Sequence, residues 1–255
     1  MTTPRSVPLT FAGAGAVVTG AASGIGAATA QRLIGAGIRT LAIDLDDPAT
    51  RYRCGGDLMS SFAIDVRDGH AIKAAVQQSF PEGSVNYVVN CAGIPAHTGF
   101  RSVGADGWRS VLEVNLIGAY NVIDACADHL AAAEPAAVVN ITSMEASRVI
   151  ALTNADPNPH YAASKAALAM LTRTAARALG GHTRVNSIAP GFVATPMAAE
   201  HGDTTRLPDQ LAARTVINRW AQPGDIADAV AFLLSDQAAY ITGVDLRVDG
   251  GFALT

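Results

Sequence analysis

The segment Ala14-Gly15-Ala16-Val17-Val18-Thr19-Gly20-Ala21-Ala22-Ser23-Gly24-Ile25-Gly26 decides the fold. Its first six residues form a short run with β-branched side chains, which predicts a strand. Glycines follow, and an Ala/Leu-rich segment to about Ala36 then predicts a helix. This order lets the backbone approach a pyrophosphate, whose charge is stabilised by free N–H groups at the helix N-terminus. A glycine cluster alone is also typical of an ordinary tight turn, and the position between strand and helix favours the phosphate-binding interpretation.

The next predicted strand, Arg39–Ile43, ends at Asp44. Asp44 lies 18 residues beyond Gly26, close to the ~20-residue offset at which an acidic side chain binds the adenosine ribose hydroxyls. Leu45-Asp46-Asp47 follow, so a 2′-phosphate would meet a cluster of carboxylates. NAD is therefore favoured over NADP, although Arg39 and Arg51 could approach a phosphate from elsewhere.

Strands and helices alternate along the rest of the chain, which predicts a parallel sheet. The further strands are expected at Ser61–Val66, Val85–Asn90, Ala137–Ser143, Arg184–Ile188 and Val244–Val248, and the helices at Asp68–Phe80, Asp106–Ala132, His160–Leu179 and Ile226–Leu234. The expected fold class is α/β, a Rossmann-like doubly wound parallel β-sheet flanked by helices. One domain over residues 1–255, with an N-terminal tail at 1–11, suits this length.

Composition excludes several function classes. Hydrophobic residues make up 49% of the chain in short runs, so a transmembrane helix is not expected. The net charge of −4 gives no basic surface for nucleic acid. Met1–Phe11 lacks an apolar core of signal-peptide length, which favours a soluble cytoplasmic protein. Cys54, Cys91 and Cys126 lack CxxC spacing and are interpreted as buried, reduced thiols. The six histidines show no metal-ligand spacing, so no metal is expected.

Tyr161-Ala162-Ala163-Ser164-Lys165 places a phenol and an ammonium four positions apart, on one face of a helix. A unit charge about 4 Å away contributes roughly 4 kcal/mol at an effective dielectric near 20, which would lower the pKa of the phenol towards the range of an acid/base catalyst. In isolation the pair is more typical of a surface helix that carries an aromatic and a basic residue. A catalytic interpretation therefore requires a cofactor and a pocket elsewhere in the chain.

Polar and small residues follow two of the predicted strands. Asn90-Cys91-Ala92-Gly93 closes one of them and would let a cofactor lie against the carboxyl end of the strand. Ser143 ends another. Asn115 lies inside the predicted helix Asp106–Ala132, where an asparagine is usually a packed polar residue that disturbs the helix slightly.

Together these motifs resemble the short-chain dehydrogenase/reductase family, of the single-domain NAD(P)-dependent type. The resemblance rests, in the family's order, on Thr19-Gly20-x-x-x-Gly24-x-Gly26, Asn90-Cys91-Ala92-Gly93, Asn115, Ser143, Tyr161-x-x-x-Lys165, Pro190-Gly191, Gly224-Asp225-Ile226-Ala227, Tyr240-Ile241-Thr242-Gly243 and Val248-Asp249-Gly250-Gly251. It covers nearly the whole chain. Cys91 stands where the family commonly has a second Asn.

The resemblance implies a catalytic role for four residues. Tyr161 would be the general acid in carbonyl reduction or the base in alcohol oxidation. Lys165 would lower its pKa and bind the nicotinamide ribose, Ser143 would polarise the substrate oxygen, and Asn115 would anchor a water in a proton relay. The chemistry agrees, because hydride transfer at carbon needs one acid/base and one donor to the developing alkoxide.

The resemblance also implies cofactor contacts and an assembly. The contacts fall on Gly20, Ser23, Gly24, Ile25, Gly26, Asp44, Leu45, Asp65, Val66, Asn90, Ala92, Gly93, Tyr161, Lys165, Pro190, Gly191, Val193 and Thr195. The helices Asp106–Ala132 and His160–Leu179 form subunit contacts in the family, so a homotetramer is implied.

The stretch between Ser143 and Tyr161 is several residues longer than is usual in the family. Ser147, 14 residues before Tyr161, is therefore a competing candidate by spacing, although Ser143 is favoured because it ends a strand. The extra residues include Asn154-Ala155-Asp156-Pro157-Asn158-Pro159 and are interpreted as a plain surface loop or as a border of the substrate pocket.

A mostly apolar set of residues is expected to face the substrate: Ile94, Pro95, His97, Met144, Glu145, Phe192 and Met197. Residues 196–215, polar and irregular over Met197–Leu211, are the candidate for a mobile lid, or else a disordered connection. The expected substrate is a compact or cyclic, largely apolar alcohol or ketone. His97 could equally be structural, and Glu145 could orient a hydroxyl or face solvent.

The leading functional prediction is an NAD-dependent oxidoreductase that transfers a hydride between NAD(H) and a secondary alcohol/ketone pair. An NADPH-dependent 3-oxoacyl-thioester ketoreductase is the alternative within enzymes, and Asp44 disfavours it. A catalytically silent dinucleotide-binding or sensing protein is the alternative from another class.

Overall fold

In the computed structural model, which describes residues 8–51, 56–81, 83, 85–150, 156–200 and 202–254, seven strands form one parallel sheet. The strands are β1 Gly15–Thr19, β2 Arg39–Asp44, β3 Met59–Ala63, β4 Tyr87–Asn90, β5 Ala136–Ile141, β6 Thr183–Pro190 and β7 Asp245–Val248. Their order across the sheet is β3-β2-β1-β4-β5-β6-β7, with every neighbouring pair parallel. The predicted doubly wound α/β fold is confirmed.

Helices cover both faces of this sheet. They are α1 Gly24–Gly35, α2 Gly69–Ser79, α3 Ala105–Leu112, α4 Ala119–Ala125, α5 Ala127–Ala132, α6 Pro159–Ala178, α7 Pro196–Ala199, α8 Asp209–Ala212 and α9 Pro223–Leu234. Helices α1 and α9 pack together on one face, and α2 and α4 pack together on the other.

Alternation along the strands divides the core into two layers. In β1, Ala16 and Val18 point into the layer under α1 and α9, whereas Val17 points into the layer under α2 and α4. Strand β4 repeats the pattern with Val88 opposite Tyr87 and Val89. Because both faces are covered, the strands consist of continuous apolar runs, as buried parallel strands do.

Strands β2 and β3 are added on one side of β1, and β4 to β7 are added on the other side. This change of side between β1 and β4 opens a crevice at the carboxyl ends of the strands. The turn from β1 to α1 lines the crevice. Gly20 has a φ of +66°, which glycine adopts without a steric penalty. A side chain at Gly26 would overlap the carbonyl oxygen of Gly20, so helix and strand approach as closely as a glycine allows.

Two predicted elements differ most from the structure in their bounds. Strand β3 begins at Met59 and ends at Ala63, so Asp65 lies in the turn after it. The single helix expected at Asp106–Ala132 is three helices: a π-helical turn, Glu113–Gly118, separates α3 from α4, and Cys126 ends α4 before α5. The π-helical turn contains Asn115, whose side chain forms hydrogen bonds with other segments of the chain.

Helix α9 begins three residues before the predicted Ile226. Pro223 occupies its first turn, and the side chains of Gln222 and Asp225 form a capping box.

Part of the expected N-terminal tail is docked. The Thr10 N–H donates to Gln237 Oε1 at 3.1 Å, Asp236 N–H donates to Thr10 O at 2.9 Å, and the Phe11 ring packs edge-on against Tyr87. Residues 1–7 of that tail, and Cys54, lie outside the described residues. Among the described helices, none combines the length and apolar character needed to cross a membrane.

Candidate active site

The N-terminus of α1 offers free backbone donors to the crevice. Ser23 is its N-cap residue but makes no side-chain cap hydrogen bond, and the first turn holds no acidic residue. The first N–H groups of a helix have no partner within the helix and attract anions. The turn Gly20–Gly26 therefore fits the pyrophosphate of a dinucleotide.

Asp44 lies beside that turn. Its carboxylate accepts hydrogen bonds from Ala22 N at 2.8 Å and from Leu45 N at 2.7 Å. Arg39 is at the opposite end of β2, where its guanidinium lies over the Phe80 ring, about 16 Å along a strand of this length. Arg39 is thus too far from Asp44 to bind a 2′-phosphate there, and the side chain of Arg51 lies outside the described residues.

The turn after β3 carries two more predicted cofactor residues. Asp65 is bound by the Arg67 guanidinium through Nε at 2.9 Å and Nη2 at 2.6 Å, and this hydrogen bond holds the pKa of the Asp65 carboxyl below its usual value. Val66 is buried against Gly118. The sequence analysis did not predict that Arg67 pairs with Asp65. A basic residue two positions after an aspartate could have indicated this ion pair.

The segment after β4 is tied to β1. Thr19 Oγ1 accepts the N–H groups of both Cys91 and Ala92 at 3.2 Å, which holds Ala92 and Gly93 next to the glycine turn. Asn90 Nδ2 donates to Asn140 Oδ1 at 2.9 Å. Burial raises the pKa of the Cys91 and Cys126 thiols to about 12.

The Pro190–Thr195 segment closes the other side of the crevice. Gly191 N–H donates to Val248 O at 3.0 Å, and Val193 pairs with Ala221. Thr195 caps α7 through Oγ1, and its methyl group lies next to Gly24. The structure thus brings the predicted cofactor contacts of the Pro190–Thr195 segment against the predicted pyrophosphate turn.

Helix α6 carries Tyr161 and Lys165 into the crevice. Lys165 is 5% exposed, and its Nζ donates to Ile141 O at 2.9 Å. The Nζ atom lies 5.8 Å from the centre of the Tyr161 ring. Lys165 and Asn115 both border Gly93, where an added Cβ would lie 3.4 Å from Nζ and 3.2 Å from Asn115 Oδ1.

Ser143 is the serine next to Tyr161. It caps the 3₁₀ turn Met144–Ala146, its Oγ accepts the Glu145 N–H at 3.1 Å, and its hydroxyl lies near enough to the Tyr161 phenol to lower the pKa of that phenol. Ser147 is exposed and bonds Met144 O instead. The geometry favours Ser143 over Ser147 as the donor to a substrate oxygen.

The pKa of Tyr161 is not lowered as the sequence suggested. Burial raises it to about 12, the Glu145 carboxylate adds to the rise, and the Ser143 hydrogen bond opposes it. Lys165 is buried as well, and burial lowers its pKa to about 8. The ammonium is directed at the Ile141 carbonyl rather than at the phenol oxygen, so its charge does not offset the desolvation of Tyr161.

Asn115 joins three segments. Its Oδ1 accepts Ile94 N–H at 2.8 Å, and its Nδ2 donates to Ile94 O and to Ser164 Oγ at 3.1 Å each. Ser164 in turn donates to Tyr161 O at 2.7 Å. Oδ1 retains a lone pair for the expected water.

Comparisons with known proteins agree with this geometry. A family model described as enoyl-(acyl carrier protein) reductase matches residues 20–253. The short-chain reductase protein NovJ of Streptomyces niveus is 36% identical over 248 residues, 92% of each chain. The chain belongs to the short-chain dehydrogenase/reductase family.

Other members of the short-chain dehydrogenase/reductase family match equally broadly. D-threitol dehydrogenase of Mycolicibacterium smegmatis is 36% identical over 246 residues, covering 94% of this chain and 92% of that protein. The structure of carveol dehydrogenase from Mycobacterium avium in complex with NAD superposes with a TM-score of 0.85 at 27% identity, covering 97% of this chain and 100% of that one. As a member of this dehydrogenase family, the protein is an oxidoreductase acting on CH–OH donors.

The residues expected to face the substrate of this dehydrogenase differ in burial. Met144 is buried, whereas Ile94, Pro95, Glu145, Phe192 and Met197 are half-buried. His97 is exposed, and its Nε2 lies 3.7 Å from Glu200 Oε2, next to α7.

An apolar cluster that the sequence did not reveal packs behind these residues. We call it the outer cluster: Met144, Leu207, Leu211 and Phe252, with Ile150, Phe192, Ala212 and Trp220 packed against them. Phe192 contacts the Trp220 and Phe252 rings edge-on. The expected lid 196–215 therefore has apolar anchors, Leu207 and Leu211, each 3% exposed. These residues are scattered through a polar stretch, so periodicity gave no signal.

The described part of the long Ser143–Tyr161 connection packs against the loop after β4. Arg101 N–H donates to Asp156 Oδ1 at 3.3 Å, and Asn158 Nδ2 donates to Ala96 O at 2.8 Å. That loop carries Ile94 and His97, so the contacts favour a border of the pocket over a plain surface loop. Residues 151–155 of the connection lie outside the described residues.

Proposed function

We propose that the protein is an NAD-dependent dehydrogenase of secondary alcohols, with Tyr161 as its acid/base. The observation that carries the proposal is the contact of Ser143 with Tyr161, with Lys165 behind them, beside a glycine turn that fits a dinucleotide.

The side chains of the site have distinct tasks. Tyr161 exchanges a proton with the substrate oxygen, and the Ser143 hydroxyl donates to the same oxygen as charge develops on it. Ser143 Oγ already accepts a hydrogen bond from the Glu145 N–H. This bond orients the hydroxyl proton of Ser143 away from the backbone. Lys165 would bind the ribose next to the nicotinamide. A nicotinamide cofactor would supply or accept the hydride, and its oxidised form would add a positive charge that favours the phenolate of Tyr161.

The preference for NAD over NADP rests on Asp44. Its carboxylate is fixed by Ala22 and Leu45 N–H groups, where it suits ribose hydroxyls and repels a phosphate. Arg39 is held at the other end of β2.

We also propose the homotetramer that the family resemblance implies. Large apolar side chains on the two helical segments expected at subunit contacts are exposed: Ile117 by 48%, Tyr120 by 52% and Met170 by 53%. Light scattering of the purified protein tests this assembly. The cytoplasmic location stays a prediction from the sequence.

The experiment for the activity is a spectrophotometric screen. Purified protein is mixed with NAD or NADP and a panel of steroid, cyclic, aryl and sugar alcohols, and NADH formation is followed at 340 nm. We expect turnover with NAD and secondary alcohols, and its loss in Tyr161→Phe while NAD binding persists. Retained turnover in Tyr161→Phe contradicts the acid/base role.

Two other results would redirect the proposal. Faster turnover of a 3-oxoacyl thioester with NADPH favours the thioester ketoreductase. Dinucleotide binding without turnover of any substrate favours the silent binding protein.

A further inference from the structure

Glu145 is an acidic side chain next to the acid/base that the proposed chemistry does not use. It is half-buried, and burial raises the pKa of its carboxyl. Its charge reaches the Tyr161 phenol, whose pKa it raises. Among the described residues, none donates a hydrogen bond to the Glu145 carboxyl or forms an ion pair with it. Its oxygens are not among the buried polar atoms that lack a partner, so they face solvent and are open to a ligand that supplies a hydrogen-bond donor.

The backbone places Glu145 close to the reacting groups. Ser143 and Glu145 belong to one 3₁₀ turn, which the buried Met144 anchors and the Ser143 Oγ to Glu145 N hydrogen bond closes. Two residues separate their Cα atoms by at most about 7 Å. A substrate whose carbinol oxygen lies between Ser143 and Tyr161 therefore reaches Glu145 through a group on a neighbouring carbon.

The surroundings decide what that group is. Ile94 and Phe192, both half-buried, are the apolar residues expected to contact a carbon skeleton there. The other ionisable residue expected in the pocket, His97, is exposed and lies next to Glu200. An anionic group beside Glu145 would meet a like charge, whereas a hydroxyl would donate to it.

We infer that Glu145 accepts a hydrogen bond from a second hydroxyl of the substrate, so that the substrate class is a vicinal diol or polyol. This inference rests on the proposed alcohol dehydrogenase activity. Glu145 is then a specificity-determining residue, while Tyr161 and Ser143 act on the oxygen that is oxidised.

The test compares 1,2-cyclohexanediol with cyclohexanol, with NAD, in wild type and in Glu145→Gln and Glu145→Leu. Glu134→Gln, which changes an exposed carboxylate beside His182, is the matched control. Each kcat/KM is taken on the plateau of that variant's pH profile, which removes the influence of Glu145 on the pKa of Tyr161. We expect wild type and Glu134→Gln to prefer the diol by tenfold or more, and Glu145→Leu to lose that preference. Glu145→Gln, which keeps one acceptor, should fall between them.

Three outcomes contradict the inference. The first is an equal wild-type kcat/KM for the diol and cyclohexanol. The second is a loss in Glu145→Leu that is the same for both alcohols, which indicates an effect on the fold or on Tyr161 alone. The third, NAD binding without turnover of either alcohol or of any in the wider panel, overturns the proposed function as well.

Discussion

Replacing Lys165 with methionine should abolish activity and yet stabilise the protein at neutral pH. Lys165 is 5% exposed, and burial lowers its pKa from 10.5 to about 8. At 1.36 kcal/mol for each pH unit, folding with the charged amine costs about 3 kcal/mol at pH 7. Methionine removes that cost but leaves the Ile141 carbonyl without its donor, which costs about 1 kcal/mol. The net gain of about 2 kcal/mol corresponds to a rise in Tm of about 4–8 °C for a chain of this size.

The stabilisation should depend on pH with a defined sign. Because the pKa of Lys165 is lower in the folded state, the unfolded chain binds the proton more tightly, and the folded protein gains stability as pH rises from 8 to 10.5. The penalty of about 3 kcal/mol at pH 7 falls below about 1 kcal/mol at pH 10. The advantage of Lys165→Met should therefore shrink over this interval.

The assay is thermal unfolding followed by circular dichroism at pH 7 and pH 10, in wild type, Lys165→Met and Lys73→Met. Lys73, the other lysine of the chain, is exposed on α2, so its replacement should leave Tm nearly unchanged at both pH values. The desolvation argument is refuted by a Lys165→Met protein that melts at or below the wild-type temperature at pH 7. A difference in Tm that stays constant up to pH 10 refutes it too.

Three further predictions concern the site. Ser143→Ala should lower kcat by about 10²–10³, as the loss of an oxyanion donor does, whereas Ser147→Ala should retain wild-type kcat; steady-state kinetics decide between the two serines. Asp44→Ala should raise the Kd for NADH by about tenfold or more, because charged hydrogen bonds to the ribose are lost, and should narrow the preference for NADH over NADPH. Fluorescence titration measures both Kd values, and an unchanged preference for NADH contradicts the role of Asp44. Glu145→Gln should shift the alkaline rise of alcohol oxidation to lower pH, because the carboxylate that raises the pKa of Tyr161 is gone; a kcat/KM profile with an unmoved midpoint counts against that coupling.

The fold was predictable, and candidate site residues could be placed at the carboxyl ends of the strands, because the signals for both are local. The glycine turn after β1 and the polar ends of β4 and β5 are each encoded within a few neighbouring residues, and parallel strands bring their carboxyl ends to one edge. Asp44 was found in the same way, since it ends β2.

The features that the sequence did not reveal depend on contacts between distant residues. The π-helical turn at Asn115 follows from bonds to Ile94 and Ser164, which no periodicity in Asp106–Ala132 encodes. The pKa of Tyr161 depends on how deeply α6 buries it and on where the Lys165 ammonium points. The outer cluster likewise joins residues 144 and 252.

The single amide of Asn115 constrains how the pocket can open. It holds both backbone groups of Ile94 and, through Ser164, the first turns of α6 that carry Tyr161. A hinge at Ile94 would break these bonds, so a movement of the loop after β4 that keeps them must begin beyond that residue. The segment from Ile94 to Tyr161 thus forms one hydrogen-bonded unit, and the exposed His97 beside Glu200 lies beyond that unit on the loop after β4.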